Sequence, residues 1–422
     1  MLAEFRVTNF KSFKDEQVLS LIATQDEINS DKVFFVGDYQ ILKVVSIYGS
    51  NASGKSNLIM AMDCMNDFVV NSAGYKHNEE IPVKPFLFNE QSKREPTKFE
   101  ITFFIDGIRY QYGLAATIKE IHNEYLLAWP NGREQRWFER NLDQKEPYFG
   151  PSFRGPNKTI WGITNKNVLF LSNAAKNNHT QCQRIYDWFD NQFRKLPDVE
   201  VGVQLTEEHF YRIQNSRRST ELHNLTLDLL RKADFGICDF TIQKVDSNQY
   251  KFPDFINEKQ KQKLLNELER HPLHQTSFSH CDGNLLPLDE ESDGTRKFYS
   301  ILGPLLESVA HGYTIYKDEL ESNLHSLLTR AIIDSISNLS FEETCAQLIF
   351  TTHDTTLLDP ELLGRGQVWF TEKGKDGATR LYSLADYKDV RKDEAMQKRY
   401  LAGRYGAIPI LERFNLSGTK EQ

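Results

Sequence analysis

Eight residues, Gly49-Ser50-Asn51-Ala52-Ser53-Gly54-Lys55-Ser56, have the types and spacing of a phosphate-binding loop. Glycines let such a backbone turn tightly enough for its N–H groups to point at phosphate oxygens. Lys55 supplies an ammonium for the β- and γ-phosphates, and Ser56 a hydroxyl for Mg²⁺. Gly49, Asn51, Ala52, Ser53, Gly54, Lys55, Ser56 and Asn57 are therefore the candidate nucleotide contacts. A glycine-rich loop can match this spacing by chance, so its flanks decide. Val44–Tyr48 is a short, mostly apolar run with β-branched residues and predicts a buried strand. Ser56–Asp63 predicts a helix, whose positive N-terminal end favours phosphate.

Hydrolysis requires a carboxylate for the metal and a second to orient water. Asp318-Glu319 ends the strand-like run Tyr313–Tyr316. Asp318 is expected to hold Mg²⁺, largely through water, and Glu319 to act as general base. Alone, an acidic pair at a strand end is as readily a solvated turn. Two neighbours weigh against that. Thr351-Thr352-His353-Asp354 follows the next strand-like run, Ala346–Thr351. His353 lies just past its C-terminal end, where open α/β sheets bind ligands, and it can hydrogen-bond a γ-phosphate. Glu291–Lys297 precedes an apolar helix, Phe298–Val309. Ser292 and Gly294 offer a hydroxyl and backbone N–H groups at its start, which is either an anion site or only an N-cap. The order in which the four pieces occur carries more weight than any one of them.

The elements that must position these residues form three stretches. Residues 1–175 begin with a strand, Phe5–Thr8, and a turn, Asn9–Phe13, and lead to the phosphate loop. They continue as a β-rich lobe. Lys98–Ile105 and Ile108–Leu114 flank Asp106-Gly107, a hairpin signal. Val168–Ser172 reads as its last strand. Residues 176–285 read as a mostly helical insertion or arm, with helices at Ile185–Phe189, Leu222–Ala233 and Lys259–Arg270. Residues 286–422 return to α/β, with a helix at Leu324–Leu339 and a further strand at Gln367–Thr371. Strands alternating with helices predict a mainly parallel sheet covered on both faces.

Bulk properties narrow the class. The chain has 422 residues, 39% hydrophobic and 26% charged, the composition of a globular protein. A net charge of −8 argues against a surface that coats nucleic acid throughout. Its five cysteines form no C-x-x-C pair, which predicts free thiols in a reducing cytosol. The eleven histidines show no H-E-x-x-H or H-x-H grouping, and no protein-only zinc site is expected. The first residues lack a signal-like apolar run, and no apolar stretch reaches membrane-spanning length, so a cytoplasmic location without membrane contact is expected.

Taken in this order, the motifs resemble those of ABC-type ATPases of the SMC and DNA-repair class. More closely, the chain is similar to the AAA/ABC-like ATPases of prokaryotic phage-defence and restriction loci, the RloA/AbiL type. Phe5–Phe13 resembles the family's first strand and turn near the nucleotide, which implies roles there for Asn9 and Lys11. Gly49–Ser56 matches its Walker A motif, Ser292–Thr295 its signature and Asp318–His325 its Walker B motif and D-loop. Thr352–Asp354 matches its switch histidine, and Tyr400–Pro409 is similar to a C-terminal motif of the subfamily. Lys317 departs from the pattern, standing where the family usually has an apolar residue. Its stem is expected to snorkel out of the strand and to bear on the rate of hydrolysis. No glutamine loop is evident, and the middle is too short for a long coiled coil.

The resemblance implies an ABC-ATPase-like P-loop core with a helical insertion, and ATP and Mg²⁺ as cofactors. It implies a head-to-tail homodimer in which Ser292 of one copy meets the phosphate held by Lys55 of the other. It further implies an effector partner, such as a nuclease, and a DNA or phage-protein trigger. A DNA-repair or remodelling ATPase is the alternative. A self-contained nuclease would need an acidic cluster after His353. Asp376, Asp386, Asp389, Asp393 and Glu394 sit among lysines and arginines and read instead as a surface helix.

Overall fold

A computed structural model describes residues 1–409 except 26, 28–29, 215–218, 234, 246–256, 271, 340–343 and 388–394. In chain order its strands and helices begin with β1 (Leu2–Thr8), β2 (Gln17–Ser20), β3 (Val33–Val36), β4 (Tyr39–Leu42), β5 (Val44–Gly49) and α1 (Lys55–Asn71). A meander follows: β6 (Thr97–Ile105), β7 (Ile108–Ala116), β8 (Ile121–Trp129), β9 (Gln135–Asn141) and β10 (Tyr148–Phe149). Next come α2 (Asn157–Gly162), α3 (Phe170–Lys176), α4 (Thr180–Asp187), β11 (Phe193–Lys195), α5 (Val199–Gln214) and α6 (Ser219–Lys232). They lead to β12 (Ile237–Lys244), α7 (Glu258–Arg270), β13 (His274–His280), β14 (Leu285–Pro287) and α8 (Asp293–His311). The chain continues with β15 (Thr314–Lys317), α9 (Ser326–Ser337), β16 (Gln347–Thr351), β17 (Val368–Lys373), β18 (Thr379–Ser383) and α10 (Met396–Leu401).

The fold is mixed α/β, and it divides into two units. The first comprises Met1–Arg194, Tyr313–Leu320 and Ile333–Gln422; the second comprises Lys195–Gly312 and Glu321–Ile332.

The first unit holds two large sheets. One has six strands in the order β11-β15-β16-β5-β17-β18. Within it β15, β16, β5 and β17 run parallel, and β18 pairs antiparallel at the edge. β5 is buried at every position, as a strand covered on both faces must be. The second sheet has seven strands, β10-β9-β8-β7-β6-β1-β2, antiparallel at each pairing described. Asp106 and Gly107 turn β6 into β7 with φ of 49° and 77°, the left-handed pair that a two-residue hairpin requires. Gln347 joins the two sheets. Its carbonyl accepts from the Leu2 N–H at 2.6 Å and the Thr314 hydroxyl at 2.8 Å, and its amide donates to Leu2 O and Leu42 O. The core of this unit is rich in aromatic rings, with Phe103, Trp188, Phe193 and Tyr316 following one another at centroid spacings of 4.1, 5.2 and 4.8 Å.

Local expectation fails at Val168–Ser172. Residues from Phe170 onward begin helix α3 rather than a strand. The buried carboxylate of Glu124, two strands away in sequence, accepts the Phe170 and Leu171 N–H groups at 2.8 and 2.9 Å. It satisfies helix donors that no neighbouring side chain caps. Arg140 holds that carboxylate at 2.8 Å and donates to Val168 O.

The second unit combines helices with an antiparallel sheet, β12-β13-β14, whose strands were not expected. α5 lies tightly along α8. A Cβ on Gly202 would approach Ser300 O to 2.5 Å, and one on Gly303 would approach the Thr206 Cα to 2.6 Å. Pro304 has no N–H to give the Ser300 carbonyl within the helix. The Thr206 hydroxyl covers the gap, lying 3.1 Å from Tyr299 O and 3.4 Å from Ser300 O while meeting the Gly303 N–H. The expectation of five free thiols is corrected here. The antiparallel register sets Ile237 opposite His280, and Cys238 and Cys281 beside them are joined as a disulfide, with Cα atoms 5.2 Å apart. Cys64, Cys182 and Cys345 are free.

The C-terminal acidic residues do not form one surface helix. Asp376 lies in the turn between β17 and β18, and Asp386 in a short 3₁₀ turn. Asp389, Asp393 and Glu394 lie outside the described residues. Among the described residues, no helix is long and apolar enough to cross a membrane.

Candidate functional site

β5 runs into the loop, and the loop into α1, so strand, turn and helix stand in the order that phosphate binding demands. Gly49 and Gly54 have φ of 159° and 119°. A Cβ on Gly49 would meet Ser53 Oγ and Thr371 O at 2.5 Å, and one on Gly54 would run into the Thr379 side chain. Only glycine fits at these points. Ala52 also takes a left-handed conformation, φ 60°. Lys55 is buried, and its ammonium donates to the Gly49 and Ser50 carbonyls at 2.9 and 3.2 Å. Ser56 and Asn57, on the first turn of α1, are half-buried, whereas Asn51 and Ala52 are exposed at the loop's crest.

Three hydroxyls form the wall behind the loop. Thr371 contacts the Ser53 hydroxyl at 2.7 Å. Thr379 donates to Ser53 O at 2.7 Å, and its hydroxyl lies 2.8 Å from that of Ser12. Asn57 donates to the same Ser12 hydroxyl at 2.7 Å. The Asn9–Phe13 turn therefore reaches the loop through Ser12. Asn9, expected among the nucleotide contacts, is buried, and its side chain bonds to neighbouring backbone. Its amide donates to Ser92 O and Glu95 O, and its carbonyl oxygen accepts from Phe86 N. The Lys11 ammonium lies 2.6 Å from the Met60 sulfur on α1. Burial, and then Lys84, lower its pKa.

The carboxylates occupy the same edge of the sheet. β16 lies between β5 and β15, with Thr351 opposite Ile47 and Phe350 opposite Lys317. Parallel neighbours lie about 4.8 Å apart, so the ends of β5 and β15 are about 10 Å apart across β16. Thr351, at the end of β16, is the organising residue. Its hydroxyl donates to the Asp318 carboxylate at 2.5 Å and accepts from the Glu319 N–H at 2.8 Å. The Leu320 N–H closes the turn on Thr351 O at 3.2 Å. Glu319 takes a left-handed φ of 49°, uncommon for a residue with a Cβ. His353, two residues beyond Thr351, is exposed. Asp354 folds back on the Thr356 N–H and hydroxyl at 2.9 and 2.6 Å. Lys317 does not snorkel to solvent. It is 5% exposed, because β15 is buried at every position. The adjacent Tyr316 hydroxyl is pushed well up by burial and by Asp63 and Asp67 of α1.

The Tyr400–Pro409 stretch covers the next part of this sheet. Tyr400 stacks on Phe370 of β17, Tyr405 meets the same ring at a tilt, and Tyr400 also meets Tyr48 of β5 edge-on. The Tyr382 and Tyr387 hydroxyls both donate to Tyr405 O. This packing buttresses the strand that leads into the phosphate loop.

Ser292 and Gly294 belong to the second unit. Ser292 is the N-cap of the nineteen-residue α8, accepting the Thr295 N–H at 3.2 Å. Its side chain is exposed, and Gly294 faces Asn323 O, which a Cβ would reach at 3.4 Å.

The donor set fits a magnesium nucleotide. Two glycines hold backbone where a Cβ would collide, a buried ammonium sits on the loop's own carbonyls, and Ser56 and Asp318 offer the hard oxygens Mg²⁺ prefers. Thr351, Thr371 and Thr379 were not singled out from sequence. The hydroxyl-bearing positions at strand ends were legible, but their roles depend on sheet register.

Residues 44–359 match the family described as "AAA domain, putative AbiEii toxin, Type IV TA system". No curated protein matches. Among solved structures, the chain is similar to an SMC head bound to the C-winged helix domain of ScpA, at 11% identity, covering 90% of this chain and 97% of that one, TM-score 0.42. It is similar to the SMC head domain from Thermotoga maritima, at 13% identity, 90% and 98% coverage and TM-score 0.39. It is also similar to an Smc head domain with an extended coiled coil bound to the C-terminal domain of ScpA from Pyrococcus furiosus, at 11% identity, 90% and 96% coverage and TM-score 0.39.

Proposed function

The chain belongs to that AAA-domain family, and on this premise we propose that it is an ATP-hydrolysing regulator whose output is a change of assembly. Two copies pair head to tail, and ATP is the shared ligand between them. The assembly acts in prokaryotic antiviral defence, where it controls a partner effector such as a nuclease. The observation that carries the reading is the convergence of four chemistries on one sheet edge: the Lys55 loop, Asp318, Glu319 and His353, with Thr351 fixing the middle pair.

Each residue has a role that its position supports. Lys55 exchanges the Gly49 and Ser50 carbonyls for phosphate oxygens, which keeps its charge paired throughout. Ser56 and Asp318 hold Mg²⁺, which when bound neutralises phosphate charge. Glu319 accepts a proton from the attacking water, and the Thr351 hydroxyl on its N–H fixes the turn that aims it. His353, exposed past β16, hydrogen-bonds the terminal phosphate. Ser292 and the free N–H groups at the head of α8 complete the site from the second copy.

Glu319→Gln separates binding from hydrolysis. With ATP and Mg²⁺ the variant is expected to accumulate as a dimer in analytical ultracentrifugation, while the wild type reverts to monomer as ATP is consumed. A Glu319→Gln protein that stays monomeric at saturating ATP rules out the shared-ligand mechanism.

A further inference from the structure

We propose that Cys238 and Cys281 form a reversible thiol–disulfide site whose state sets how firmly the head of α8 is held. This rests on the reading above only for its consequence, because the head of α8 carries Ser292.

The five cysteines differ in chemistry. Burial pushes the Cys182 thiol well up and the Cys64 thiol up to about 12, so neither is a nucleophile near neutral pH. The bonded pair is different. Cys281 is exposed and Cys238 half-buried, so small reagents reach them. The Arg231 guanidinium donates to Cys238 O at 2.7 Å, and Asp239 and Asp282 are the pair's sequence neighbours.

Position gives the bond a lever. The β12–β13 ladder slips register between Ile237 and Asp239, so Cys238 sits at a bulge where regular pairing lapses. The disulfide ties the strands at that gap, helped by the Cys281 N–H on Gly236 O at 3.1 Å. His280, next to Cys281, reaches the largely buried Glu291 carboxylate with Nε2 at 2.7 Å. Glu291 immediately precedes Ser292, the cap of α8. One covalent bond, one chain neighbour and one side-chain hydrogen bond thus connect the sulfurs to the helix head.

Closure is balanced with a small disulfide as oxidant. The Cys281 thiolate, the more exposed, attacks one sulfur of oxidised glutathione and expels a glutathione thiolate. The Cys238 thiolate then attacks the Cys281 sulfur and expels the second. Two protein thiols lose two electrons and two protons, and the oxidant becomes two thiols.

The test equilibrates the full chain in glutathione buffers of graded ratio, then alkylates free thiols and locates them by mass spectrometry. Cys238 and Cys281 are expected to titrate together while Cys64 and Cys182 stay reduced. Amide hydrogen exchange over residues 288–296, measured without nucleotide, is expected to slow several-fold in the oxidised form. The Cys238→Ser/Cys281→Ser double variant should exchange like the reduced wild type at every ratio. The proposal is overturned if both cysteines remain alkylatable in excess oxidised glutathione, or if exchange over 288–296 is equal in the two states. Neither readout needs ATP or a dimer, so failure of the shared-site reading leaves them intact.

Discussion

Thr351 links the two residues to which the proposed function gives different duties, donating to the Asp318 carboxylate and accepting from the backbone of Glu319. Thr351→Val keeps the shape of this fully buried side chain and removes both contacts. Loss of a hydrogen bond to a charged group is worth about 1.5–3 kcal/mol, so the hydrolysis rate should fall at least about tenfold. ATP affinity should hold, because Lys55 and its carbonyl partners are untouched. Single-turnover hydrolysis and a nucleotide titration measure the two; an unchanged hydrolysis rate would remove Thr351 from the machinery. The carboxylates were legible in the sequence because a strand followed by Asp-Glu is a chemical pattern. Thr351 was not, because its role exists only once β16 lies beside β15 in the observed register. The turn at Asn9 was legible too, but not that its amide serves the backbone of residues 86–95, which depends on packing distant in sequence.

Among the elements, the strand–loop–helix around Lys55 and the Asp106-Gly107 hairpin follow from period and turn chemistry, which are local. The start of α3 does not, since its donors are met by Glu124 from another strand. The β12-β13-β14 sheet was missed because β13, His274–His280, is mostly polar and gives no strand-like run. Between α5 and this sheet lies a titratable group. Glu207 is buried, accepts the Thr276 N–H and hydroxyl at 2.9 Å each, and has its pKa pushed up to about 7 by burial. A carboxyl raised in the folded state favours folding when protonated. That stability is complete below its ordinary pKa of 4.5 and is lost as pH rises through about 7. The loss is on the order of 3 kcal/mol. Glu207→Gln should therefore flatten the fall in urea midpoint between about pH 5 and 8 relative to wild type. Parallel pH profiles for the two proteins would refute that origin.

At the scale of the molecule, the sequence order of motifs matters more than any single one. The first unit carries Lys55, Asp318, Glu319 and His353, while Ser292 sits in the second. Family membership and the sheet edge account for ATP binding; sharing of the ligand between copies is the central claim. It is tested by mixing two inactive variants. Lys55→Ala removes the phosphate ammonium. Ser292→Asp keeps α8 capped, since Asp is as good an N-cap as Ser, but sets a carboxylate against phosphate. If each site draws Lys55 from one copy and Ser292 from the other, a mixed dimer has one intact site and one doubly damaged site. Equal mixing should then restore about a quarter of wild-type ATPase activity, as random pairing in a two-fold dimer requires. Activity that stays at the level of the separate variants, with both proteins folded, would contradict a site shared between two copies.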